Sequence, residues 1–319
     1  MDLVLPVAAA LWGATTGALL PRAAYRFSAP AGEQWRTTCP AGHPVQGWLG
    51  HTPCTTCATT TPTPTADPTS TAAPVPTAEP AATAVPTSTA DPVPTDEPAA
   101  ADGVDVPQGP PAPDDESRTG GAGGTPKTAT THPPAPAPTP APTPALLALA
   151  TAMVCTALAL TTGTRPELAV WLLLAPVGVL LAVVDFRVQR LPDPLTLPFA
   201  PVALALLGVA ALLPEHAGDW LTSLYAALAL GAAYFVLFLV NPGGMGFGDV
   251  KLALGVGAAL GWYGWPTVLL GTFAGFLLGA LYGGALVALR RAGRKTAIAF
   301  GPFLIAGAFA GLLVGAYTA

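Results

Sequence analysis

Apolar runs long enough to cross a lipid bilayer recur through residues 146–319 and limit what this chain can fold into. A helix needs ~20 residues to cross a hydrocarbon core of about 30 Å, and the runs of Leu, Ala, Val, Gly and aromatic residues repeatedly approach that length. Only 10% of the 319 residues are charged, and the mean hydropathy is +0.53. We therefore expect an all-α polytopic membrane protein and not a soluble domain.

The spacing of these runs predicts about eight membrane-spanning helices. The expected spans are residues 1–20, 145–162, 168–185, 195–213, 220–240, 250–263, 265–289 and 297–317. The sixth and seventh spans form one long apolar stretch, which must be divided near the sequence GWYGWP at 261–266. There, Gly and Pro favour a turn, and the tryptophans suit a membrane interface.

The positions of the arginines and lysines predict how the chain is oriented in the cell membrane. Arg22 and Arg26 follow the first span, so the positive-inside rule places the N-terminus outside and residues 21–145 in the cytoplasm. A secretory signal peptide is the alternative for residues 1–20, but it would carry its positive charges before the apolar run. Later cations recur at every second joint between spans, so the same rule places both chain ends outside.

Residues 58–145 differ from the rest of the chain, because they consist mainly of Thr, Pro, Ala and acidic residues. Dense proline blocks helix and sheet, and the segment has no apolar face to bury, so we expect a disordered cytoplasmic linker. A Thr/Pro-rich composition also resembles an O-glycosylated stalk, which would require an outside location. The net charge of -5 comes mostly from this segment, and nothing in the chain indicates a nucleic-acid surface.

A cluster of cysteine and histidine residues precedes the linker. Cys39-x3-His43 and Cys54-x2-Cys57 together supply four ligands for tetrahedral zinc. A cytoplasmic location keeps thiols reduced and favours a metal over a disulfide. His51 is a substitute ligand, and a degenerate module without metal is the alternative. The predicted domains are a first transmembrane helix (1–20), a small cytoplasmic Cys/His module (21–57), the linker (58–145) and a transmembrane core (146–319).

Two aspartates lie at the edges of apolar segments. Asp185 lies in LLAVVDFRVQRLPDPLTLP at 180–198, and Asp249 follows a glycine run in GGMGFGDVKLA at 243–253. Carboxylates beside membrane spans are costly, and they are functional candidates for that reason. The predicted orientation places both on the cytoplasmic side. Two carboxylates held close together share a proton, because they cannot both ionise easily. Such a pair is the minimum that an aspartic protease needs for catalysis.

The glycines around Asp249 suggest a role in substrate approach. Gly246 and Gly248 are expected to permit positive φ and to let an extended chain lie near the carboxylate. Asp249 itself is expected at the start of a helix, where the helix dipole favours its ionised form. The alternative is a flexible turn between helices with a solvated N-cap aspartate.

Other charged residues flank the two aspartates. Asp193 lies between two prolines and is expected to cap or position the next helix. Arg187 and Arg190 are expected to pair with the carboxylates, anchor lipid head groups or set the orientation of the chain.

The frames of the two aspartates resemble the catalytic motifs of type IV prepilin peptidases, which are membrane aspartic proteases with a Gly-x-Gly-Asp signature. That signature is Gly246-Phe247-Gly248-Asp249 in this chain, and it is followed by Lys251. The segment LPDPLTLP at 191–198 accompanies the first aspartate. The resemblance covers residues 150–319 and extends weakly to GALLPRAAYRFS at 17–28, where Pro21 replaces an asparagine of the family pattern.

The resemblance implies that class III signal peptides of pilin-like proteins are cleaved at the cytoplasmic face, just after a glycine that precedes a hydrophobic segment. It implies that Asp185 and Asp249 are the catalytic residues. The residues expected to position the substrate are Gly246, Gly248, Asp193 and Lys251. Proteolysis would need no cofactor, and the expected partners are prepilin or pseudopilin substrates and membrane lipids. Many family members also methylate the new N-terminus with S-adenosylmethionine, a role linked to the loop that the Pro/Thr linker interrupts here.

Three other functions are compatible with two carboxylates in a membrane protein. An ion- or proton-coupled transporter would bind cations there, although it would also need polar residues deep within its spans. A non-catalytic scaffold of a pilus or secretion machine would use neither carboxylate. An intramembrane protease of the presenilin type shares Gly-x-Gly-Asp but lacks the LPDPLTLP segment.

Overall fold

The computed structural model describes residues 3–30, 32–59, 143–289 and 299–319. All of them belong to one of the two compact units of the chain, Met1–Thr63 together with Pro138–Ala319. The predicted linker at 58–145 lies outside the described residues except at its two edges. At those edges a short helix ends at Thr59 and a long one begins at Pro144.

Helices make up all the regular structure of the described residues, apart from one isolated antiparallel bridge between Thr38 and Pro44. The helices are α1 (Val4–Phe27), α2 (Thr55–Thr59), α3 (Pro144–Thr162), α4 (Glu167–Val188), α5 (Asp193–Ala211), α6 (Trp220–Val240), α7 (Phe247–Gly261), α8 (Trp265–Ala288) and α9 (Gly301–Thr318). The prediction of an all-α fold is therefore confirmed.

Seven helices are long and apolar enough to cross a membrane: α1, α3, α4, α5, α6, α8 and α9. They indicate a multi-pass membrane protein. The remaining predicted span, residues 250–263, forms α7, which has 15 residues. At 1.5 Å per residue, α7 is roughly 22 Å long and shorter than a hydrocarbon core of about 30 Å. The predicted turn follows it, because Gly264 has a φ of 94° and α8 begins at Trp265.

The short helix α7 lies inside the protein and contacts α5, α6, α8 and α9. Eleven of its 15 residues are buried. Its glycines let α6 approach closely, since a methyl group on Gly257 would lie 2.5 Å from the carbonyl oxygen of Ala226. A methyl group on Gly261 would lie 2.8 Å from the carbonyl oxygen of Thr222. Small residues at this spacing are typical of close helix packing in membranes.

The first helix is longer than the predicted span, because α1 continues beyond residue 20 to Phe27. It packs against α3, where a methyl group on Gly17 would lie 2.6 Å from the carbonyl oxygen of Leu147. Arg22 and Arg26 lie in the last two turns of α1 and donate hydrogen bonds to backbone carbonyls of the Cys/His module, including those of Gln46 and Gly47 at 3.0 and 2.8 Å. These arginines therefore anchor the module to α1.

We predict that Gly257→Ala lowers the thermal stability of the detergent-solubilised protein, because the added methyl group has no space against α6. Overpacking of this kind costs about 1–3 kcal/mol. Gly284→Ala in α8 is the matched control, since a methyl group there has no neighbour within 4 Å. Equal melting temperatures for the two variants would contradict the close contact between α6 and α7.

Candidate active site

The carboxylate of Asp185 lies one turn before the end of α4. The side chain is 4% exposed, and its Oδ2 accepts a hydrogen bond of 3.1 Å from the backbone N–H of Gly301. The helix ends three residues later, at Val188, and Gln189 follows with a left-handed φ of 51°. A left-handed residue is common after a helix, but it is usually Gly or Asn and seldom Gln. The chain therefore turns sharply beside this carboxylate.

The carboxylate of Asp249 lies in the first turn of α7, where its backbone N–H donates to the carbonyl oxygen of Gly246 at 3.0 Å. The side chain is 6% exposed. The expected position at a helix start is thus confirmed, and the alternative of a solvated N-cap aspartate is wrong. The charge of Asp249 acts on Tyr234 of α6, whose buried hydroxyl has no hydrogen-bond partner among the described residues.

Gly301, the first residue of α9, brings the two carboxylates together. A methyl group on Gly301 would lie 2.6 Å from Oδ2 of Asp185 and 3.5 Å from Oδ1 of Asp249. Both carboxylates therefore face the same point, and only a residue without a side chain fits between them. The sequence analysis did not single out Gly301, because its contribution is a backbone N–H. The Gly-Pro pair at 301–302 indicates only that a helix starts there.

A cavity of about 520 Å³ opens in front of the two carboxylates. Its walls come from the end of α4, the segment between α4 and α5, the residues before α7 and the residues before α9. The lining includes Asp185, Asp249, Trp35, Arg190, Lys251 and Phe300. The arrangement suits water-dependent acid–base chemistry, because the aspartates lie at the wall of a cavity large enough for water and a peptide chain.

The glycines before Asp249 line this cavity, but their backbone differs in one respect from the expectation. Gly243, Gly244, Gly246 and Gly248 all lack a positive φ, so the backbone freedom that glycine permits is not used at these positions. Gly246 has an extended backbone, with φ of -75° and ψ of 146°. Gly248 serves close approach, since a methyl group there would lie 2.9 Å from Cβ of Leu191. Packing against the segment between α4 and α5 is the reason why glycine fits at this position.

Lys251 and Asp193 form an ion pair, with Nζ 2.7 Å from Oδ1. Asp193 is the first residue of α5, and Lys251 lies in the second turn of α7. The pair joins the helices at the rim of the cavity, where both residues are part of the lining. Its exposed carboxylate makes it a modest contributor to stability.

Arg190 binds the Cys/His module to the wall of the cavity. Its Nη1 donates to the carbonyl oxygens of Pro30 and Glu33 at 3.0 and 3.1 Å, and the guanidinium lies 4.3 Å from the ring centre of Trp35. Arg190 therefore holds the module in place. Trp35 was missed in the sequence analysis, since a cation–π contact over so long a sequence separation leaves no local pattern.

The four predicted metal ligands lie together in the module. The ligand atoms of Cys39, His43, Cys54 and Cys57 are all within 4.8 Å of one another. Sγ of Cys39 lies 3.6 Å from both Nδ1 of His43 and Sγ of Cys57. Ligands about 2.0–2.3 Å from a tetrahedral ion have separations of this size, so the residues fit zinc. His51 is not a member of the group.

Hydrogen bonds within this group shift the pKa values of its thiols in opposite directions. A hydrogen bond from the backbone of Cys57 lowers the pKa of Cys54 to about 6, whereas hydrogen bonding to the Cys39 side chain raises the pKa of Cys57 to about 11. One sulfur therefore carries charge more readily than its neighbours, as a metal-binding thiolate must. All four cysteines of the chain are free, so no disulfide competes for these sulfurs.

Comparisons with known proteins match the part of the chain that holds both aspartates. Residues 172–284 match the model of the type IV leader peptidase family. The prepilin leader peptidase/N-methyltransferase of Aeromonas salmonicida is 37% identical over 164 residues, which cover 51% of this chain and 54% of that protein. The protein of the same name from Escherichia coli K12 is 36% identical over 138 residues, which cover 41% of this chain and 57% of that protein.

The chain spans about half the length of the curated relatives that it matches. No solved structure matches significantly. Asp185 and Asp249 both fall within the matched segment, whereas Gly301 and the Cys/His module lie outside it. Residues 172–284, with both aspartates among them, are therefore the part of the chain that is similar to type IV leader peptidases.

Proposed function

We propose that this protein is a prepilin leader peptidase that cleaves the class III signal peptides of pilin-like proteins by a two-aspartate mechanism. The observation that carries the proposal is the convergence of the two carboxylates on Gly301 at the wall of an open cavity. The similarity to relatives that are named prepilin leader peptidases supports the substrate class.

In the proposed mechanism, Asp185 and Asp249 hold a water molecule between them. One carboxylate is ionised and takes a proton from the water as general base, while the other is protonated and polarises the scissile carbonyl. The protonated member then helps to protonate the leaving amine. The two groups titrate as a pair, so the roles belong to the pair and not to one residue. The N–H of Gly301 fixes the orientation of the Asp185 carboxylate throughout.

The remaining predicted site residues would position the substrate in this scheme. Gly246 and Gly248 leave room beside Asp249 for a substrate backbone, and the pair of Asp193 and Lys251 fixes the rim of the cavity. The positive-inside rule supports a cavity that faces the cytoplasm, because Arg190 and Lys251 lie at its wall. The substrate would then keep its leader in the cytoplasm and its apolar segment in the membrane.

The Cys/His module is proposed to bind one zinc ion through Cys39, His43, Cys54 and Cys57. Zinc would fix the fold of a segment that has little apolar core of its own. The proteolytic step needs no metal, because the carboxylates themselves supply the acid and the base. Within the predicted division of the chain, residues 58–145 would connect this module to the peptidase core.

The relatives are named N-methyltransferases as well as prepilin leader peptidases, so methyl transfer is a second candidate activity. The loop that the family resemblance links to methyl transfer is interrupted in this chain by the Thr/Pro-rich residues 58–145. We therefore propose proteolysis as the activity. A methylated product would add S-adenosylmethionine as a cofactor.

We predict that Asp185→Asn and Asp249→Asn each slow processing of a co-expressed prepilin by at least about a hundredfold, because each removes one member of the acid–base pair. Mass spectrometry of the pilin N-terminus measures the cleavage position and any methyl group together. Asp219→Asn is the control, since Asp219 caps the far end of α6 and asparagine caps equally well. Normal processing by either active-site variant would refute the two-aspartate mechanism.

We predict that Gly301→Ala lowers the turnover rate by about a hundredfold without unfolding the protein, because the new methyl group displaces the Asp185 carboxylate. Gly284→Ala serves as the control for a glycine in open space. The measurement pairs initial cleavage rates with melting temperatures in detergent. A Gly301→Ala variant with unchanged turnover would show that the contact between Gly301 and Asp185 has no catalytic role.

We predict that the purified protein carries one zinc ion per chain and that Cys54→Ser loses it, since the variant lacks one of four ligands. Elemental analysis after dialysis measures the metal content. Cys155→Ser is the matched control, because Cys155 is buried within α3, outside the metal-ligand group. A Cys54→Ser variant that retains zinc would exclude this ligand set.

A further inference from the structure

A second cavity lies along α4, α7 and α9, with side walls from α3 and α5, and has a volume of about 300 Å³. We call it the apolar groove. Its lining includes Val179 and Val183 of α4, Phe199 of α5, Leu252 of α7, and Ile305 and Phe309 of α9. Every described residue that lines it is apolar, aromatic, glycine or proline. It is partly open, since these side chains of α4 and α9 are only half-buried.

The apolar groove starts where the catalytic cavity ends. Along α4, Val183 lines the groove and Asp185 lines the cavity; along α7, the boundary falls between Lys251 and Leu252. At the start of α9, Phe300 lines the cavity and Pro302 lines the groove. The boundary between the two cavities therefore falls at the same level on three helices, and on α4 and α7 the lining changes there from charged to apolar.

The extent of the groove suits one side of a helix. Along α4 it runs from Trp171 to Val183, which is roughly 18 Å at 1.5 Å per residue. The same length holds about three turns of a docked helix. A volume of about 300 Å³ receives the side chains on one face of such a helix and leaves its other face in lipid. Gly178 lies in the wall of the groove, and a methyl group added there would have only Cγ2 of Ile305 within 4 Å, at 3.8 Å. The groove therefore has open space beside Gly178.

We propose that the apolar groove receives the hydrophobic segment that follows the scissile bond of the substrate. This inference rests on the proposed function, because it requires a substrate whose polar leader is followed by an apolar segment. Such a substrate changes from polar to apolar in the same direction as the two cavities. Seating the apolar segment between α4 and α9 places the preceding peptide bond beside Asp185 and Asp249. Helix-in-groove recognition of this kind uses side chains at i, i+3, i+4 and i+7.

Photo-crosslinking tests the occupant directly. Phe309 in the groove, or Phe273 on the lipid-facing side of α8 as the matched control, is replaced by p-benzoylphenylalanine in the Asp249→Asn background. The probe is a tagged prepilin from the source organism, reconstituted with the enzyme in liposomes. We expect the Phe309 position to crosslink to prepilin at least about tenfold more than the Phe273 position. Equal crosslinking at both positions, or adducts at Phe309 with lipid alone, would overturn the proposal.

A groove-filling variant gives an independent kinetic test in active enzyme. Gly178→Leu places a side chain in the groove, and Gly284→Leu places the same side chain in open space on α8. We expect the KM for prepilin to rise about tenfold in Gly178→Leu with kcat within about twofold, because the reacting groups are untouched. An unchanged KM would exclude the groove as a binding site. A fall in kcat at unchanged KM would assign it a purely structural role.

The same probe separates this inference from the proposed function. If the wild-type enzyme leaves the prepilin uncleaved, the proposed function fails and the inference fails with it. If the wild type cleaves the prepilin while Phe309 gives no preferential crosslink, only the groove is refuted. Should Gly178→Leu fail to fold, the crosslinking comparison decides the question, because it needs no substitution in the wall at α4.

Discussion

The enclosure of α7 by its neighbours is the constraint on which the rest of this structure depends. Asp249 lies in the first turn of α7, and α7 contacts α5 and α9, whose first residues Asp193 and Gly301 belong to the site. Gly301 in turn lies against the carboxylates of both Asp185 and Asp249. Glycines on the face toward α6 make this possible, since they allow backbone-to-backbone contact at Gly257 and Gly261. Without hydrophobic driving force between helices in lipid, such close packing is a main source of stability.

The N-terminal part of the chain completes the site from outside the matched segment. Arg26 at the end of α1 stacks on Trp48 at 4.0 Å, and Arg190 after α4 stacks on Trp35 at 4.3 Å. The module is thus held from two sides by guanidinium groups that also donate to its carbonyls. One consequence is that Trp35 becomes part of the wall of the cavity in front of the two carboxylates. The module therefore contributes to the shape of this cavity.

Much of the architecture could be predicted from the sequence, because lipid leaves few alternatives to a helix for long apolar runs. The span predicted at 250–263 forms the 15-residue helix α7, which is enclosed by other helices. Sequence alone does not separate enclosure by protein from enclosure by lipid, since both select the same apolar residues. The two aspartates could be found from their flanking sequence motifs. Gly301 could not, because it contributes a backbone N–H, which nearly every residue type has. The contact of Arg190 with Trp35 was equally hidden, since it depends on how distant segments meet in three dimensions.

The position of the carboxylates at the end of the apolar groove would solve a problem that a helical substrate of the proposed kind presents. A helix shields its carbonyl groups by hydrogen bonding, so a peptide bond is exposed to attack only where the helix is unwound. Unwound backbone is costly in the hydrocarbon region and tolerated where it borders a water-filled cavity. The cavity in front of Asp185 and Asp249 provides that setting directly beside the apolar groove. For a substrate of the proposed kind, cleavage at the membrane edge would thus follow from where its backbone can unwind at acceptable cost.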